Sequence, residues 1–237
     1  RQWHVSASPV TLAATADPRQ RLPALPGLCT DRSLHLAVPV RSLRNPHAAA
    51  WVDAVLASNQ PAAAAIARDH PPLPFLLTRD LAAMRAHLRA AARGLRRAGL
   101  LASSGAKRLR AEGLGAELPH TEASAVAHWF LDRFPADIRA SDALDTVATE
   151  FSCQGLELDF VGLCWGGDLI RAATWRPRAF AGTAWQARGK PEAVANRLNT
   201  YRVLLTRARY ETVIWVPPGD LADHTRACAR RSARARR

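Results

Sequence analysis

Two short runs place the residues of this chain that could do chemistry. The first is Gln154-Gly155-Leu156-Glu157, inside Thr149-Glu150-Phe151-Ser152-Cys153-Gln154-Gly155-Leu156-Glu157-Leu158-Asp159. Gly155 permits a positive φ or a close backbone approach, and Gln154 and Glu157 set polar groups beside that turn. The second is Tyr201-Arg202-Val203-Leu204-Leu205-Thr206-Arg207-Ala208-Arg209, good helix formers that present Arg202 and Arg207. A strand-turn with a glycine, then a helix carrying an arginine, lets one nucleotide-binding lobe reach phosphates held by another. A third run is Ser103-Ser104-Gly105-Ala106-Lys107-Arg108, expected at a strand end. Backbone N–H groups and an ammonium there can hold phosphate, either of a nucleotide or of a nucleic-acid backbone.

The elements that must position these residues follow from apolar periodicity and breakers. Helices are expected over Pro46–Ala57, Pro61–Arg68, Arg79–Leu95 and Ala123–Asp132, with Trp51, Trp129 and Phe130 turned inward. Strands are expected over Leu34–Val40, Leu73–Thr78, Gly99–Ser103, Ala148–Phe151 and Thr212–Val216, and the apolar run Leu158–Trp165 follows the glycine turn. Arg85, Arg89, Arg93, Arg96 and Arg97 would form the solvated side of the third helix, or a nucleic-acid track. This alternation of strands and helices predicts an α/β fold with an open, mostly parallel sheet and helices on both faces. Catalytic groups are then expected at the carboxyl ends of the strands.

Composition narrows the function classes. Of 237 residues 48% are hydrophobic, enough to bury a core, and the net charge is +13, which suits an anionic partner such as nucleic acid or nucleotide. Much of that excess is one tail: Arg226, Arg230, Arg231, Arg234, Arg236 and Arg237 have no acid among them. Cys29, Cys153, Cys164 and Cys228 form no C-x-x-C pair, which argues against a zinc site and for a reducing compartment, with Cys153 and Cys164 as small core residues. His120 and His128 lack a second ligand at metal spacing, so no metal site is expected. No apolar run approaches the ~20 residues of a membrane span and no signal peptide opens the chain. The protein reads as cytoplasmic, with no membrane partner.

Gln154-Gly155-Leu156-Glu157-Leu158-Asp159 resembles motif V of superfamily 1 helicases, and Val203-Leu204-Leu205-Thr206-Arg207-Ala208-Arg209 resembles motif VI. With Cys164-Trp165-Gly166-Gly167-Asp168-Leu169 and Val213-Ile214-Trp215-Val216-Pro217 around them, the chain from Trp3 to Arg226 is similar to the bacterial Schlafen group 3-like DNA/RNA helicase domain family. That resemblance implies a RecA-like second helicase lobe of the P-loop NTPase type. It makes Arg207 an arginine finger, whose charge stabilises a transferring γ-phosphoryl group. It makes Arg202 a further phosphate or interlobe contact, and gives Gln154, Gly155 and Glu157 a nucleotide contact coupled to the nucleic-acid track. Arg41-Ser42-Leu43-Arg44 is similar to motif IV, with Leu43 where the family has Phe, and there Arg41 or Arg44 contacts nucleotide. The plainer readings are that Arg41 and Arg44 cap a strand end and that Arg207 is a helix-end cation.

No Gly-x-x-x-x-Gly-Lys-Ser/Thr and no Asp-Glu pair occurs in the sequence. In the family both lie upstream of the matching region. The resemblance therefore implies a C-terminal half that binds ATP with Mg²⁺ only together with a Walker-containing N-terminal lobe, in cis or from an adjacent reading frame. On this reading residues 1–30 are a remnant or linker, 31–223 the lobe and 224–237 a basic, disordered tail. That tail departs from the family, which continues with a Pro and a Tyr-Asp pair. The expected nucleic-acid partner, DNA or RNA, would be met by Ser103, Ser104, Lys107 and Arg108. The rival expectation is a catalytically inactive fragment or a stand-alone basic nucleic-acid-binding module.

Overall fold

The computed structural model describes residues 4–9, 27–35, 45–114, 118–119 and 122–220. Arg41, Arg44, His120, Cys228, most of the strand expected at Leu34–Val40 and the tail 224–237 lie outside them. Two compact units divide between Val40 and Arg41.

In the first unit β1 (Val5–Ala7) pairs in parallel with β2 (Leu28–Thr30). Asp31 then caps a 3-10 turn, Arg32–Leu34, by accepting from the N–H and the hydroxyl of Ser33, both at 2.8 Å. These bonds favour the carboxylate and lower its pKa. Leu34 thus belongs to a turn rather than to the expected strand.

The second unit is built on five parallel strands in the order β3-β10-β6-β4-β5, namely Phe75–Thr78, Ala208–Trp215, Leu158–Cys164, Ala98–Leu101 and Val147–Ala148. Successive side chains of a strand point to opposite faces, and each face here has its own core. Val161, Leu163 and Ile214 join one core with Val52 and Leu56 of α1 (His47–Leu56), Trp129 of α4 (Ala123–Leu131), and Tyr201 and Leu204 of α5 (Pro191–Leu205). Phe160, Cys164, Val213 and Trp215 join the other with Met84 and Leu88 of α3 (Leu81–Ala91). A sheet covered on both sides reads as continuous apolar runs, which is why Leu158–Cys164 carries almost no polar residue. The α/β expectation, with helices on both faces, holds, and the architecture is consistent with a RecA-like fold. α2 (Gln60–Asp69) packs on α1.

Several boundaries differ from expectation. β5 stops at Ala148, and residues 150–155 form turns, because the buried Thr149 and Ser152 bond to each other and Ser152 Oγ donates to the distant Leu118 carbonyl at 2.8 Å. α3 begins after its cap Asp80 and ends at Ala91, so Arg93, Arg96 and Arg97 lie beyond it, the last two just before β4. Arg85 and Arg89 are not purely solvated either, since they donate to the Leu144 and Ala143 carbonyls at 2.8 and 3.1 Å. Trp129 is fully buried and Phe130 partly so.

Between β6 and α5 the chain makes an antiparallel meander that apolar periodicity does not announce. It comprises β7 (Leu169–Arg171), β8 (Trp175–Ala181) and β9 (Ala184–Ala187). Gly182 at φ +59° starts the two-residue turn between β8 and β9, where a positive φ matches the strand twist.

Candidate functional site

In a parallel sheet all amino ends share one edge, and the chain's candidate residues divide between the two edges. β6 and β10 share the rung Leu158–Ala208 at their starts. The residues just before that rung are Glu157 and Arg207, so the turn at Gly155 and Arg207 emerge side by side at the amino edge. This corrects the expectation that the catalytic candidates lie at the carboxyl ends. α5 also ends at Leu205, so Arg207 stands in the bend between α5 and β10 rather than on the helix with Arg202.

Arg207 is only 6% exposed, Nη1 reaches the Leu156 carbonyl at 3.5 Å, and Nε is buried without an acceptor among the described residues. A guanidinium held this way has unspent hydrogen-bonding capacity, which is costly to bury. Glu157 is half-exposed and lies 3.8 Å from Arg209. Gln154 is exposed. Gly155 has φ +81°, and a Cβ there would meet nothing within 4 Å, so glycine serves the turn's backbone rather than a close approach. Arg202 is engaged elsewhere: Nε donates to Asp53 of α1 at 2.7 Å, and Nη1 to Asn199. Arg97 borders the same edge. Its N–H donates to Asp159 Oδ2 at 2.8 Å and its guanidinium to the Leu131 and Asp132 carbonyls that end α4. Burial lowers its pKa, and the neighbouring Arg133 adds to the effect.

The carboxyl edge holds the third run. From β4 the chain crosses to β5, and from β6 it crosses the other way to β10, so the β4 and β6 ends flank a switch point. Asp168, with no exposed surface, accepts from Tyr201 Oη at 2.8 Å on Oδ1. Arg197 Nη1 stands 3.1 Å from Oδ2, an ion pair without hydrogen-bond geometry, and donates to Ser103 Oγ. Tyr201 Oη also accepts from the Gly166 N–H at 3.2 Å. Arg197 and Tyr201 are four apart on α5, which puts them on one helix face. The loops close on each other through glycine: a Cβ on Gly166 would lie 2.3 Å from Ala106 Cβ, and one on Gly105 2.8 Å from Arg197 and Asp168. Glu150 takes both donors of Ser104, N–H and Oγ, at 2.8 Å each. Ser103 Oγ also accepts from the Gly105 N–H at 3.2 Å. Lys107 lines a cavity of about 300 Å³ beside this loop, and Arg108 lies over the Phe180 ring at 5.6 Å.

A model of the Schlafen group 3 DNA/RNA helicase domain matches residues 3–218. The chain belongs to that family. As a Schlafen group 3 chain it carries a helicase-like domain, and the matched span includes both edges described above. No curated protein and no solved structure matches it.

Sequence reasoning missed the Asp168–Tyr201–Arg197–Ser103 network, which ties the motif VI helix to the opposite edge. Its signal was the Gly166-Gly167-Asp168 end of an apolar strand and the spacing of Arg197 and Tyr201. His128 is hydrogen-bonded at the surface, for Nδ1 lies 2.7 Å from Asp132 Oδ2, with Asp137 close by. Asp137 is already paired with Arg139 at 2.6 Å, whose hydrogen bonds hold its carboxyl far below the usual range. Cys153 and Cys164 are buried core residues, as expected. Among the described residues no helix is long and apolar enough to cross a membrane.

Proposed function

We propose that this chain is the C-terminal motor lobe of a superfamily 1-type DNA/RNA helicase or nucleic-acid-dependent ATPase, supplying motif V and the arginine finger Arg207. The observation that carries the reading is the shared rung Leu158–Ala208, which sets Glu157 and Arg207 together on one edge of the sheet. Arg207 suits an anion because its Nε is buried without an acceptor among the described residues. A phosphate brought by a facing lobe pairs with this cation.

ATP with Mg²⁺, held by a Walker-containing N-terminal lobe, supplies the phosphoryl group that is transferred. The work of this chain is positional and electrostatic. Arg207 offers charge where negative charge develops, and the Leu156 carbonyl fixes its plane. Glu157 and Gln154 offer polar contacts to the nucleotide beside Arg207, and Gly155 gives their turn its backbone. α5 joins this edge to the network at Ser103 and Asp168, so displacement of the helix moves both. On this reading the nucleic acid, DNA or RNA, meets Lys107 and Arg108 at the carboxyl edge, while Ser103 and Ser104 shape the loop that presents them. The compartment follows as the cytoplasm.

The test is ATP hydrolysis in the presence of single-stranded DNA or RNA, by the chain alone and fused to a Walker-containing first lobe. Turnover by the fusion and none by the chain alone is the expected result. A folded fusion that does not hydrolyse ATP contradicts the reading.

A further inference from the structure

The β7–β9 meander is a part of the helicase-like unit that the motif reading leaves without a task. From Leu169 to Pro191 the sequence contains Arg171, Arg176, Arg178, Arg188 and Lys190 and no Asp or Glu. Its body-facing side is committed: Trp175 packs on Trp165 and donates to the Val55 carbonyl at 2.8 Å, and Pro177 is buried. Strand alternation sends Arg176, Arg178 and Phe180 to the other side. There Phe180 stands directly opposite Trp185 in the β8–β9 ladder. The two rings meet edge to face, with centroids 5.1 Å apart and planes at 63°, and both stay part-exposed beside the turn at Gly182.

Cations frame this ring pair. Arg178 lies over Trp185 at 5.0 Å, held there by its Nε bond to the Gly167 carbonyl at 2.9 Å. Arg108, from the loop after β4, lies over Phe180 at 5.6 Å. Arg176, on the same side, is exposed; Arg188 and Lys190 are exposed too but follow β9, with Arg188 opposite Pro177. Part-exposed rings, Trp185 beside Gly167, set among cations in a stretch of sequence without Asp or Glu, match the chemistry of unpaired bases on a charged backbone. A duplex offers the phosphates but hides the base faces.

We propose that this meander, with Lys107 and Arg108, is a platform for single-stranded nucleic acid, on which Phe180 and Trp185 stack bases and the surrounding cations hold phosphates. The proposal deepens the nucleic-acid side of the function given above and rests on it. A cross-strand aromatic pair also stabilises a hairpin, so the test must read something that hairpin stability alone does not move.

The measurement is fluorescence anisotropy of the full chain with labelled oligothymidine and oligouridine of about 16 nucleotides, and with a duplex of equal length. The arginine-rich tail contributes to single strands and duplex alike, so the comparison between them isolates the rings. The expected result is preference for single strands, lost on Phe180→Ala with Trp185→Ala through a roughly tenfold or greater weakening for the single strand alone. Trp185→Phe, which keeps a ring, retains most of the preference. Arg176→Glu with Arg188→Glu, both exposed, weakens binding and makes its salt dependence shallower by about two ions. Equal affinity for single and double strands, no binding at all, or a folded ring-less variant that binds as before overturns the platform. If the ring-less variant loses its thermal unfolding transition, the charge-reversed pair decides, and unchanged affinity there overturns it equally. None of these results touches hydrolysis by the fused protein or its dependence on Arg207, so the motor-lobe reading stands or falls separately.

Discussion

Leu158 and Ala208 face each other at the starts of β6 and β10, and this one rung brings Glu157 and Arg207 together although they are distant in sequence. The guanidinium of Arg207 then leans on the carbonyl of Leu156, so this arginine is oriented by the backbone of the Gly155 turn. Geometry at this edge depends on the turn at Gly155 as much as on the arginine.

Gly155→Ala should therefore destabilise without any steric clash. The position has φ +81°, and an added Cβ would have nothing within 4 Å, so the cost is backbone strain alone, about 1–2 kcal/mol. For a chain of this size that is a fall of roughly 2–8 °C in the thermal midpoint. Gly155→Asn, which tolerates the left-handed region better, should fall less.

At the opposite edge, Tyr201→Phe removes the hydroxyl that donates to Asp168 and accepts from Gly166. Asp168 is fully buried, so a lone pair loses its donor in a place water does not reach. Denaturant unfolding should show a loss of about 1–3 kcal/mol. Arg197→Ala, which takes the counter-charge from a buried carboxylate, should cost more, about 3–5 kcal/mol.

Gly166→Ala tests the closeness of the two loops. The added methyl would lie 2.3 Å from Ala106 Cβ and 2.8 Å from its Cα, and backbone cannot swing aside as a side-chain tip can. Overpacking of this kind costs about 1–3 kcal/mol. A second substitution, Ala106→Gly, removes the nearest atom and should recover part of the loss.

Burial pushes the Cys164 thiol from its ordinary 9.0 up to about 12, against a smaller opposing effect of Arg85. The folded chain thus keeps a proton that the unfolded chain releases. The stability this group contributes is complete below pH 9.0 and is lost as pH rises from there through about 12. Thiol labelling at pH 8 with peptide mapping should modify exposed Cys29 quickly and leave Cys153 and Cys164 until the chain unfolds.

The parallel sheet was legible because its strands are apolar runs separated by helices of regular period, with Asn59 and Asp80 capping two of them. The membership of the chain in a helicase-domain family was legible in the order and spacing of the two runs at Gly155 and Arg207. The edge on which they meet was not. The sequence shows that Gly155 turns the chain, yet whether the following strand begins or ends at that turn depends on the buried bond between Thr149 and Ser152 and on that of Ser152 to the distant Leu118 carbonyl. The meander was missed for a different reason. β7–β9 has short strands rich in Arg and Ala, with weak alternation, and its one local signal is the Gly182-Thr183 turn. Arg202 illustrates the limit on single residues: a motif can nominate a cation, while its pairing with Asp53 exists only once α1 and α5 are packed.

The most direct test of the motor-lobe account is steady-state ATP hydrolysis by the fusion to a Walker-containing lobe, comparing the parent with Arg207→Ala and Arg207→Lys. A finger acts only on the transition state, so kcat should fall roughly 10³-fold or more in the alanine variant with KM little changed. Lysine, which lacks the planar fork, should restore only a small part. An unchanged kcat in a folded Arg207→Ala fusion would contradict the account.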